Sequence, residues 1–160
     1  MLDYTNTITE EKSYSGLQMS EIKPIMKLIV RGKKREFLSA VGKSLNLLLP
    51  TEANTSSISE KITAIWLSPD EWMVYSNQIS NSNNNDYETE NLLNRNISKI
   101  NLGAVTDVTD QFVLINIKGD KIYDLFETGS PFNFNEFKNK KGSVAQTILL
   151  KIDVIIHNLN

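Results

Sequence analysis

The sequence predicts an α+β fold, with largely antiparallel sheets and helices packed on them. Two observations carry this. Short, β-rich apolar runs come in pairs joined by brief turns, and connections that short allow antiparallel but not parallel pairing. Between the pairs lie stretches whose apolar residues recur at spacings of three and four, the period of a helix that covers a sheet with one face. The 160 residues match the size of one ordinary domain, long enough to bury a single core.

Residues 1–20 are polar and aperiodic. They are expected to form an extended N-terminal arm ahead of a single α+β domain over residues 21–160. Ile25 to Val30 is short and apolar and predicts a strand, ended by Gly32. Phe37, Leu38, Val41 and Leu45 predict an amphipathic helix over 36–45, and Pro50 closes the unit. After a polar loop over 51–59, Ile62 to Leu67 and Trp72 to Tyr75 predict a hairpin through the turn Ser68-Pro69-Asp70-Glu71. Asn77 to Asn85 is almost wholly polar and is expected as a loop excursion. Leu92, Leu93, Asn96, Ile97 and Ile100 share a helical phase and predict a second helix over 87–100.

The second half repeats the theme without a sequence repeat. Ala104 to Val108 and Phe112 to Ile117 predict strands. Gly119 breaks the second, Asp120 suits a helix N-cap, and Ile122, Tyr123, Leu125 and Phe126 pattern a short helix that stops at Gly129-Ser130-Pro131. Ser143 to Lys151 and Ile152 to His157 read as two closing strands or as one long bent strand.

Composition narrows the chemistry. The formal net charge is −2, whereas a duplex-binding surface carries a basic excess, so no nucleic-acid partner is expected. The one basic cluster, Arg31, Lys33, Lys34 and Arg35, reads as a solvated helix start. The absence of cysteine removes disulfides, thiolate metal sites and Cys nucleophiles together. Met1 to Ser20 lacks the apolar run of a signal peptide, and no stretch approaches the roughly 18 apolar residues of a membrane span. A cytoplasmic protein without a membrane partner is the expectation.

Candidate reactive residues are few, and each has a structural reading. His157 is the single histidine, so a Ser-His-Asp triad would have to use it. Its place at the end of an apolar strand suits a strand-end or interface residue better. Asp107 and Asp110 could hold a metal, but a strand-turn-strand unit commonly uses two acids to cap its turn. Asp70 and Glu71 could pair as general acid and base, against the simpler reading of a solvated turn. Trp66, Trp72, Tyr75 and Phe112 could stack on a ligand, although strand aromatics in a small domain belong to the core more often. Gln146 and Thr147 lie in an apolar strand, where a buried amide must be satisfied by a neighbouring backbone or a partner subunit; the backbone is the favoured reading. Neither G-x-G-x-x-G nor G-x-x-x-x-G-K-[ST] occurs, so no phosphate cradle of those kinds is expected. No catalytic, cofactor-binding or metal-binding residue is assigned to the chain.

Several segments, in order, resemble a known family. Trp66 to Trp72 resembles the "WLGPDEWL" segment of sarcosine oxidase gamma subunits, and Val105 to Gln111 resembles their "VDVSD" strand and turn. Ile117-Lys118-Gly119 is similar to their "LSG", Thr128 to Asn133 to "KGCPLDL", and Gly142 to Lys151 to "G..AQTLLAK". Arg31-Gly32 followed by Phe37-Leu38 fits the early part. Ser130 stands where the family has Cys, and Asn133 where it has Asp.

The resemblance implies a fold similar to the folate-binding domain of glycine-cleavage T-protein, an aminomethyltransferase. It implies membership of a heterotetramer, with alpha, beta and delta subunits as partners, that oxidatively demethylates sarcosine to glycine. In such a complex the larger subunits hold FAD, covalent FMN, NAD and tetrahydrofolate, and the smallest holds zinc. The gamma subunit has no assigned catalytic residue, which implies a structural or assembly role. A second reading is a folate-binding or aminomethyltransferase-like module, with Asp107 or Asp110 holding the pterin. A third, a repair factor for iron–sulfur proteins, lacks its signature cysteine.

Overall fold

A computed structural model describes residues 5–8, 11–77 and 87–160. Most of the polar excursion expected over 77–85, and residues 1–4 and 9–10 of the expected arm, lie outside them. The fold is α+β, with antiparallel pairing between all assigned strand neighbours. The central sheet holds β3 (Lys27–Gly32), β4 (Ser56–Ile58), β5 (Ile62–Ser68), β6 (Glu71–Ser76) and β7 (Gly103–Asp107). Its order is β4-β5-β6-β3-β7.

Both faces of the three inner strands, β5, β6 and β3, are covered, which is why these read as largely continuous apolar runs and not as alternating ones. Leu28, Val30, Ala64, Trp72 and Val74 face helices α1 (Arg35–Leu45) and α2 (Tyr87–Ile100). Phe37, Val41 and Leu45 of α1 and Leu93 and Ile97 of α2 are the buried residues of those helices, at the spacing of four that a helix stripe requires. α1 ends at Asn46, whose left-handed φ of 49° suits an asparagine C-cap.

The opposite face carries Ile29, Ile65, Met73 and Tyr75, and is covered by a hairpin of β9 (Val144–Leu149) and β10 (Ile152–His157) through Val144 and Ile155. The closing segment is therefore two strands with a two-residue turn, not one bent strand. The hairpin's outer face meets α3 (Ile122–Gly129) and an aromatic cluster of Tyr123, Phe126, Phe132, Phe134 and Phe137. Ring centroids there lie 4.9–6.4 Å apart, the spacing of tilted and edge-on pairs.

The expected arm is partly folded. β1 (Lys12–Tyr14) and β2 (Leu17–Ile22) form a hairpin, and β2 pairs with β8 (Leu114–Lys118). The boundary expected at residue 20 thus falls inside a strand. Gly16 makes the turn at φ 78°, and a Cβ on Gly119 would lie 2.2 Å from the Gly16 carbonyl oxygen. A close approach of this kind admits only glycine.

Candidate functional site

A polar network lies where the β9–β10 hairpin meets the central sheet. His157 ends β10. Its Nδ1 is 2.7 Å from the Tyr75 hydroxyl on β6, and its Nε2 is 2.8 Å from Ser56 Oγ on β4. Ser56 Oγ donates to the Gly142 carbonyl at 2.8 Å. The serine proton is committed there, so Ser56 accepts from Nε2–H, and Nδ1 accepts from Tyr75. Burial lowers the imidazole pKa to about 4, so the ring is neutral near pH 7. Burial likewise raises the Tyr75 phenol, opposed in part by a hydrogen bond with Thr63.

This arrangement differs from a nucleophilic triad in its tautomer. A triad orients its histidine through Nδ1–H, leaving Nε2 free to take the serine proton. Here the hydrogen bonds place the proton on Nε2, so the ring cannot accept one from Ser56. The network joins three strands and performs no proton transfer in this state.

The other sequence candidates are similarly engaged. Asp70 accepts from Ser68 Oγ at 2.9 Å, and Arg31 Nε and Lys33 Nζ lie 3.6 and 3.7 Å from its Oδ2. The serine hydrogen bond, then the two cations, lower its pKa. Glu71 sits opposite Arg31 in the β3–β6 register. The turn is therefore capped by its own serine and flanked by cations, the environment of an ionised carboxylate and not of a general acid. The basic cluster is exposed along its length, with Lys34 at the N-cap of α1.

Asp107 Oδ1 accepts from the Thr109 backbone N–H at 2.8 Å, a local turn cap. Neither Asp107 nor Asp110 lines either of two surface clefts. One, of about 550 Å³, lies between α1 and α2 and is lined by Arg35, Glu36, Lys43 and Asn96 among others. The other, of about 450 Å³, runs along the β9–β10 hairpin beside Phe112. Among the described residues no three His, Asp or Glu side chains gather as a metal site.

Trp72 is core, with its indole N–H donating to the Pro50 carbonyl at 2.7 Å, and Trp66 packs partly buried against the same cluster. Phe112 is exposed. Gln146 donates from Nε2 to the Leu67 carbonyl at 2.7 Å, so its amide is satisfied by a neighbouring backbone, although the residue itself is exposed. Thr147 meets Ser130, its hydroxyl 3.0 Å away.

One residue went unnoticed in the sequence. Lys27 is buried within β3, and its ammonium donates to the carbonyls of Ile25 at 3.1 Å and Thr109 at 3.0 Å. Burial lowers its pKa, while the negative charges of Asp110 and Asp107 oppose that shift. Those two carboxylates thus serve as distant counter-charges to a buried lysine. The only signal was a lysine inside an apolar run.

The profile described as "Sarcosine oxidase, gamma subunit family" matches residues 31–159. A chain of the heterotetrameric sarcosine oxidase from Corynebacterium sp. U-96, solved in complex with pyrrole 2-carboxylate, superposes with a TM-score of 0.78. It is 15% identical, and the alignment covers 90% of this chain and 71% of that one, a likeness of fold. No curated protein matches by sequence. Among the described residues no helix is long and apolar enough to cross a membrane.

Proposed function

This chain belongs to the sarcosine oxidase gamma subunit family, and we propose that it serves as the gamma subunit of a heterotetramer whose activity is the oxidative demethylation of sarcosine to glycine. The assembly is a flavin-dependent oxidoreductase. FAD, FMN, NAD, tetrahydrofolate and zinc belong to its alpha, beta and delta subunits. This chain contributes structure and assembly, not a reaction centre.

The observation that supports a structural role is how the polar side chains are used. His157 is neutral and hydrogen-bonded at both ring nitrogens. Asp70 is paired with cations, and the Lys27 ammonium is spent on two carbonyls. A catalytic acid needs a transferable proton, and a base a free lone pair, within reach of a substrate; the protons of His157 and Lys27 are directed to partners within the fold, and the Asp70 carboxylate is taken up by Ser68, Arg31 and Lys33. The folate-binding alternative needs a carboxylate in a cleft; Asp107 caps its own turn and lines neither cleft.

Co-expression of the four subunits with and without this chain tests the proposal. Sarcosine-dependent flavin reduction is expected only where the chain is present, and purified chain alone should neither turn over sarcosine nor release heat with a tetrahydrofolate analogue. Full activity of the remaining three subunits without it, or turnover by the isolated chain, would sink the reading.

A further inference from the structure

We propose that the tip of the β9–β10 hairpin is a preformed knob that inserts Leu150, flanked by Ile148 and Ile152, into an apolar pocket with an acidic rim on a non-identical subunit of the oxidase. This rests on the subunit reading above and adds the surface and the chemistry of its partner.

The register pairs Leu149 with Ile152, leaving Leu150 and Lys151 as a two-residue turn. Both residues lie at positive φ, 51° and 74°. Turns of this kind favour Asn-Gly, because a left-handed backbone costs other residues roughly 1–2 kcal/mol each. Leucine does nothing to relieve that cost. Nor does it cover the protein's own core, since Leu150 is 68% exposed, with Ile148 at 47% and Ile152 at 67%. An unfavourable backbone and an uncovered leucine coincide at one apex, which points to a contact outside the chain.

The knob is also held rigid. The Leu150 N–H donates to the Gly129 carbonyl at 2.9 Å. A Cβ on Gly129 would lie 2.9 Å from Leu149 Cδ1 and 3.0 Å from Leu150 Cγ, so the glycine lets the tip seat against the end of α3. A tip fixed before contact loses little freedom on docking.

Charge distinguishes the partner. Lys151 shares the exposed apex, so a receiving pocket places a carboxylate beside its apolar floor. A second copy is a poorer receiver. Its α1–α2 cleft sets one carboxylate, Glu36, beside two cations, Arg35 and Lys43, a net positive lining for an incoming lysine, and its other cleft, which includes Asp153, runs along the hairpin that would itself have to dock.

The test uses competition for the complex. Tagged Leu150→Asn is co-expressed with wild-type chain and the other subunits, and the ratio incorporated is read by mass spectrometry. Asparagine suits the turn backbone, so the isolated variant should melt no lower than wild type, yet wild type should dominate the complex by about ten to one or more. Leu48→Asn, which alters a residue 83% exposed after α1, should incorporate evenly. Lys151→Glu should be disfavoured in the same assay at low salt. Equal incorporation of Leu150→Asn would overturn the knob while leaving the subunit reading intact. Failure of wild-type chain to recover any other subunit would overturn the subunit reading itself. A wild-type homodimer broken by Leu150→Asn, with unchanged incorporation into the complex, would assign the tip to self-association and overturn the proposal.

Discussion

Acidification should loosen this fold through His157 before its carboxylates titrate fully. The folded-state pKa is about 4, against an ordinary 6.5. The unfolded chain therefore binds more protons between those values. The contribution of the neutral ring to stability is complete above about pH 6.5 and is lost progressively as the pH falls toward 4. Applying linkage to the two pKa values gives a loss of about 2 kcal/mol between pH 7.5 and pH 5, as an upper figure for a ring that is not fully buried. Because His157 is the only histidine, its imidazole resonance can be followed alone by NMR, and denaturant midpoints give the stability. The comparison is with His157→Gln, which keeps polar contact with Tyr75 and Ser56 but cannot titrate. Wild type should lose about 1–2 kcal/mol more than the variant over this range. Superimposable pH profiles, or an imidazole that titrates near 6.5, would show that the ring is not buried neutral and would refute this reasoning.

Two substitutions test the packing of the central sheet. Trp72→Phe removes the indole donor to the buried Pro50 carbonyl and should cost about 1–3 kcal/mol in chemical denaturation. Gly103→Ala would place a Cβ 2.4 Å from the Arg31 carbonyl oxygen and 2.3 Å from the Phe37 ring. The backbone cannot retreat without breaking the β3–β7 ladder, so a comparable loss of about 1–3 kcal/mol is expected.

The legible parts of the fold were those with a strong periodic signal. The β5–β6 hairpin announced itself because both sheet faces are covered, making each strand apolar throughout. α2 was readable over the full Tyr87–Ile100 span because Leu93 and Ile97 set its phase. The hairpin at residues 12–22 was not, since Lys-Ser-Tyr and Leu-Gln-Met-Ser-Glu-Ile show neither clean alternation nor an apolar run. Its fold is decided by pairing with β8, about a hundred residues away in sequence. The Phe132–Phe137 cluster escaped because its rings converge from irregular backbone, where neither period applies. At the candidate site His157 stood out by type, yet its partners Tyr75 and Ser56 lie 82 and 101 residues away. Lys27 was hidden by its neighbours, since nothing in Ile25 to Val30 tells which carbonyls will meet a lysine.

These polar contacts become intelligible together when followed along one element. The β9–β10 hairpin is fastened at intervals on both faces. His157 ties its base to Tyr75 and Ser56, Gln146 ties its middle to Leu67, Thr147 meets Ser130 on the opposite face, and the Leu150 N–H closes the tip on Gly129. From Val144 to Leu149 the strand spans roughly 17 Å. A two-stranded ribbon of that length is marginal by itself, so its orientation depends on these fastenings and on the apolar contacts beneath them. The side chains the sequence offered as chemistry thus act mainly to aim a hairpin. The base is sensitive to protonation, the tip carries uncovered apolar surface, and one rigid element connects them. Acid that charges His157 should therefore weaken incorporation into the complex at a pH where Leu150 itself is unchanged, and that loss should disappear in His157→Gln.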